Sequence, residues 1–228
     1  MLDQANPWLA VPPEPPYLLP CDSEMIRAFN ETHQNEACQL KDNVLPEPFI
    51  GDTAAQIVLL NLNPGFDDRN AGEHARSEFQ SLLRTNLSQG SAGFPFYYLD
   101  PRFESEGRRW WENKLRSLLK LFGRNQLARS ILCIELFPYH SRRFCHENLK
   151  LPSQEYGFGL ARSAIARGAV VVIMRARRQW LAKIPELEKY PRVYTLKNPQ
   201  NVVISPGNCP GEGFENIVSA IRNGGGLL

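Results

Sequence analysis

The sequence has no long apolar run. Its longest is the six residues Ala169–Met174, against the roughly 20 that a membrane-spanning helix needs, so no membrane partner is expected. The opening MLDQANPWLAVPPEPP has neither a basic start nor an apolar stretch. No secretory signal is therefore expected, and a cytoplasmic location is. Cysteine is sparse: five residues, an odd number, irregularly spaced and without a CxxC pair. That argues against a disulfide framework and against a zinc finger, and the expectation is scattered reduced thiols. Cys145-His146 has no second ligand pair near it in sequence. GxGxxG, GxxxxGK[ST], HExxH and GxSxG are all missing, which removes the usual nucleotide-cofactor and lipase-type readings. Neither a metal nor an organic cofactor is expected.

What is present is an ordinary folding composition: 228 residues, 43% hydrophobic and 22% charged. A chain of this length buries a sizeable core without staples. The net charge of +2 hides an asymmetry. Residues 1–60 hold nine acids against Arg27 and Lys41, and the remainder carries 24 basic and 15 acidic residues. Residues 162–183 hold six basic residues and no acid. A basic body suits a polyanion, because each neutralised phosphate releases counterions; a mildly basic solvated surface has the same composition.

Eight of the 18 prolines fall in the first 48 residues. Residues 1–50 read as a proline-rich arm with a short helix at 22–33, and residues 51–228 as one α/β domain. QIVLLN (56–61), SILCIEL (130–136) and AVVVIM (169–174) are aliphatic runs without period-two polarity, the pattern of strands covered on both faces. RVYTL (192–196) and NVVIS (201–205) are shorter strand candidates. Helical spacing appears at 74–87, 106–123, 153–168, 177–190 and 211–223. The alternation predicts a three-layer α/β sandwich around a central, largely parallel four-stranded sheet. Ligands bind such sheets at the carboxyl ends of the strands, so the loops there hold the candidates.

After the first strand comes Leu62-Asn63-Pro64-Gly65-Phe66. The proline biases Asn63 to extended geometry, its amide could orient a water, and Gly65 would let a ligand approach the backbone; a plain turn has the same composition. The loop around Phe94 and Phe96 could stack its rings on a flat base or pack them inward. Glu135 follows a buried run, so its charge must be partnered or its pKa raised. His140, Arg142 and Arg143 follow it, and Arg175 and Arg177 follow the third strand. Ser205-Pro206-Gly207-Asn208 precedes a helix start, with Asn198 in a rival loop upstream.

Taken in order, VLLNLNPGF (58–66), GFPFYY (93–98), the strand ending at Glu135, VVVIMRARRQWL and the loops at Asn198 and Ser205–Asn208 resemble the uracil-DNA glycosylase superfamily. The likeness is to its mismatch-specific and single-strand-selective branches, and it spans roughly 50–222. It implies a monomeric, cofactor-free DNA glycosylase that hydrolyses the N-glycosidic bond of a flipped-out damaged or deaminated base. Asn63 would position water, Leu62 and Pro64 would line the pocket, and backbone N–H groups near Gly65 and Phe66 would bind the base. Phe96 or Phe94 would stack on it. Glu135 would read its edge in place of the family's asparagine. Asn198 and Ser205-Pro206-Gly207-Asn208 would stand for the final motif, without its histidine, with Ser205 and Asn208 gripping phosphate and the minor groove. His140, Arg142, Arg143, Arg175 and Arg177 would hold the DNA backbone. A non-catalytic nucleic-acid-binding member of the fold, and a small-molecule hydrolase using Glu135 and His140, are the alternatives.

Overall fold

Aliphatic β-branched runs form the sheet. In a computed structural model that describes residues 5–224, the strands are Phe49–Gly51 (β1), Ile57–Leu60 (β2), Ile131–Ile134 (β3), Val170–Ile173 (β4) and Val193–Thr195 (β5). The α-helices are Pro20–Thr32 (α1), Asp68–His74 (α2), Ser77–Leu87 (α3), Glu106–Ser130 (α4), Gln154–Ala166 (α5), Arg177–Lys183 (α6) and Gly213–Gly224 (α7). The strand order is β1-β3-β2-β4-β5. β2 pairs in parallel with β3 and β4, β5 pairs in parallel with β4, and β1 closes the other edge antiparallel to β3. Every residue of β1 to β4 is buried. Helix α5 lies against β3 and β4, α7 against β2 and β4, and α4 against α7. This is a mixed α/β fold with a mostly parallel sheet, compatible with three layers.

The sheet has five strands where four are expected. The extra one, β1, has only three residues and begins inside the stretch read as the arm. Residues 201–205 form no strand. Val202, Val203 and Ile204 are buried there, but the Ile204 N–H donates to the Lys114 carbonyl of α4 at 2.9 Å. Gly123 does break the long helix, with φ 71°, yet helix resumes behind it and runs straight into β3.

The arm packs onto the same core as the sheet, through Trp8, Tyr17, Leu19, Ile26, Leu40 and Leu45. Tyr139 fastens it: its hydroxyl accepts from the Leu19 N–H at 3.1 Å and donates to Asp22 Oδ2 at 2.9 Å. The expectation of five reduced thiols is corrected here. Cys38 of the arm and Cys145 beyond β3 form a disulfide across 107 residues of sequence, and Cys21, Cys133 and Cys209 are free. The pairing comes from the arm folding back over the domain, which spacing along the chain does not reveal.

Two outcomes test this frame. Gly51 has φ +112°, and a Cβ there would sit 2.2 Å from the Ile131 carbonyl oxygen. Gly51→Ala is expected to cost more than about 2 kcal/mol in urea unfolding, since alanine fits neither the backbone nor the β1–β3 spacing. Reducing Cys38–Cys145 removes a long-loop crosslink and is expected to lower stability by roughly 3–5 kcal/mol, read as a lower unfolding midpoint with reductant present.

Candidate functional site

Because β2, β3 and β4 are parallel, the residues that leave their carboxyl ends meet at one rim. These are Asn61, Leu62 and Asn63 after β2, Glu135 after β3 and Arg175 after β4. The antiparallel β1 starts at the same rim, so Glu47, two residues ahead of it, arrives there too. Together with His74 at the end of α2, Trp110 of α4, and His140 and Ser141, they line a cavity of about 610 Å3, within the ~300–1,000 Å3 of small-molecule sites.

Asn61 and Glu135 stand at this strand-end rim. The Asn61 N–H donates to the Ile134 carbonyl at 2.9 Å, and its own carbonyl accepts from Trp180 Nε1 of α6 at 2.8 Å. So held, the Asn61 amide donates to Glu135 Oε1 at 3.0 Å. Burial pushes Glu135 up to about 8, opposed by the Asn61 hydrogen bond and reinforced by the charge of Glu47. At neutral pH this acid largely keeps its proton. Glu135 Oε2 and Asn61 Oδ1 are both buried and, among the described residues, have no hydrogen-bond partner.

Beside them lies a second polar group. Glu47 accepts from Tyr97 at 2.9 Å and from Tyr98 at 2.9 and 3.1 Å. His140 Nε2 lies 3.5 Å and His74 Nε2 3.9 Å from Glu47 Oε1. Burial raises Glu47, while His140 and the two phenols pull it back. Burial, and next the neighbouring His140, push His74 down to about 3. Gly107 at the start of α4 makes room for this arrangement, since a Cβ there would lie 2.3 Å from the Tyr98 ring.

The Asn63 amide nitrogen donates to the Pro64 carbonyl at 3.1 Å and to Ser141 Oγ at 3.0 Å, which leaves its side-chain oxygen as the acceptor for a water. Leu62, Pro64, Gly65, Phe66, Glu135, Arg142 and Arg175 join Asn63 in lining the cavity. Other expected residues are placed elsewhere. The Phe66 N–H already donates to the Ser141 carbonyl at 3.2 Å, so it is not offered to a base. Phe96 is fully buried and packs edge-on to Trp111 with centroids 4.9 Å apart; the helix behind its loop pulls the ring into the core. Phe94 lines a different cleft, with Asn86, Gln89 and Arg129. Asn208 braces its own loop: it accepts from the Asn198 N–H at 2.8 Å and donates to the Val203 and Asn201 carbonyls at 2.8 and 3.1 Å. Asn198, Ser205, Pro206 and Gly207 belong to that self-braced loop and do not line the cavity. His140 is buried inside the site and cannot serve as an outer phosphate contact. Arg143 and Arg177 are exposed outside the cavity.

Sequence reasoning missed Asn61, Glu47, His74, Trp110 and Ser141. Asn61 was within reach, as a polar residue closing an apolar strand. Glu47, enclosed by Pro46 and Pro48, and His74, at a helix end, carry no local signal. No family model, no curated protein and no solved structure matches the chain.

The Glu135 acid makes stability fall with pH. Unfolded, it titrates near its ordinary 4.5; folded, near 8. The folded chain holds a proton that the unfolded chain loses between these values. The Glu135 contribution is therefore full below about 4.5 and falls by about 1.4 kcal/mol per pH unit until pH passes about 8. Glu135→Gln removes this component, so the variant should gain on the native chain between pH 5 and 9 in urea unfolding.

Proposed function

We propose that the chain is a nucleobase N-glycosidase of the uracil-DNA glycosylase kind, acting on a damaged or deaminated base extruded from DNA. The observation that carries the reading is the buried Asn61–Glu135 pair at the strand ends: an acid that keeps its proton, and two polar atoms without a partner among the described residues, in a cavity of about 610 Å3. Protonated Glu135 can donate and Asn61 Oδ1 can accept, which suits a base edge carrying both kinds of group. The half-buried rings of Phe66 and Trp110 supply apolar walls in place of Phe94 and Phe96. Arg142 and Arg175 at the cavity supply positive charge for the strand.

In the reaction, the C–N bond breaks and its electron pair leaves with the base. The Glu135 O–H donates toward the developing anion and stabilises it where charge appears. As the bond breaks the Glu135 proton passes to the base, the Asn63 side-chain oxygen holds the water whose oxygen bonds to the anomeric carbon, and the proton this water sheds goes to solvent, from which Glu135 is re-protonated. An amide is no base near neutrality, so Asn63 positions the water and does not deprotonate it.

The experiment is base release from single-stranded and duplex oligonucleotides carrying uracil or hypoxanthine. Asn63→Ala should lower the rate by about 100-fold or more, and Glu135→Gln by about 100-fold or more through loss of the transferable proton. A second reading, nucleic-acid binding without cleavage, is favoured by Phe96 and Asn208 lying outside the cavity. It predicts salt-sensitive binding with no base released across the lesion panel, a result that would overturn the glycosidase. Release from free nucleosides alone would assign a small-molecule hydrolase.

A further inference from the structure

The base-release reading leaves Glu47, His74 and His140 unused. One oxygen of Glu47 and one ring nitrogen of each histidine lie within 4.8 Å of one another, and all three side chains are buried. They come from three distant segments: the arm, the end of α2 and the loop after β3. All three line the cavity. Burying a carboxylate and two imidazoles together is costly unless something positive is held among them.

Two of the three side chains have outer-shell partners of the kind found around such a centre. Both Glu47 oxygens accept from the phenols of Tyr97 and Tyr98, which fixes the carboxylate. His140 Nδ1 faces the Gly65 carbonyl at 3.0 Å. A proton on that nitrogen leaves the Nε2 lone pair free, as in the histidine ligands of metal sites. Nε2 then faces Glu47 Oε1 at 3.5 Å and the Leu45 carbonyl at 3.2 Å. In that tautomer Nε2 has no proton to give to either oxygen. His74 packs edge-on to His140, with ring centroids 4.8 Å apart. It is 5% exposed, and its Nδ1 has no hydrogen-bond partner among the described residues.

We propose that Glu47, His74 and His140 bind one divalent first-row transition ion of the zinc or iron(II) class. Two imidazoles and one carboxylate are a donor set for both ions. Three protein ligands leave coordination open on the cavity side, where such an ion makes bound water acidic. The inference does not rest on the glycosidase reading, because the ion can be held whether or not a glycosidic bond is cut, and uptake and base release are measured separately.

The test is titration of chelator-stripped full-length protein with Co2+, followed by visible absorption, and with Zn2+ by calorimetry. One equivalent of Co2+ should bind with the spectrum of nitrogen and oxygen ligation, without sulfur charge transfer, and Zn2+ should displace it. In the cobalt-loaded native chain the ring protons of His74 and His140 should show paramagnetic shifts, a readout that needs no variant. Glu47→Gln and His74→Ala, checked for folding by circular dichroism, should weaken binding by at least about 100-fold, more than loss of an outer-shell partner does. Absence of saturable uptake, a sulfur-ligated spectrum, unshifted His74 and His140 protons, or unchanged affinity in a folded variant would each overturn the proposal.

Discussion

Burying Glu47 is the constraint on which the site is built. The arm carries this carboxylate into the interior between two prolines, where it would be intolerable alone. Tyr97 and Tyr98 answer with two phenol donors, which is why the aromatic loop turns inward. His140 answers from the far side, which sets the course of the chain after β3. Arm, aromatic loop and post-strand loop are thus held by one buried polar group, and the cavity opens beside it. Glu135 beside it is raised chiefly by its own burial, and the charge of Glu47 adds to the rise.

The sheet was legible because β2, β3 and β4 are apolar on both faces, a pattern that only a covered parallel sheet accommodates. β1 was not, since three residues between prolines and a turn carry no period. Residues 201–205 were misread for a related reason. Their aliphatic side chains are buried as a strand's would be, but the Ile204 N–H goes to a helix carbonyl, and composition cannot tell the two apart.

Within the site, legibility followed distance from a strand end. Asn63 and Glu135 could be placed because a parallel sheet dictates where its strands discharge. Phe96 and Asn208 could not. Ring packing against Trp111 and a closed hydrogen-bond loop decide their orientation, and neither leaves a mark on local sequence. Glu47 and His74 needed the fold itself, as their meaning lies in one another.

Cys38 and Cys145 make the stretch between them a covalent ring. Glu47, Asn61, Asn63, His74, Tyr98, Trp110, Glu135 and His140 all fall inside it; of the described residues lining the cavity, Arg175 alone comes from outside. A single cut in the exposed turn at Ser88–Gly90 would therefore leave two pieces still tethered around an intact chamber. While the bridge stays oxidised, the walls of the site share the fate of one closed circle of chain, whatever happens to the termini.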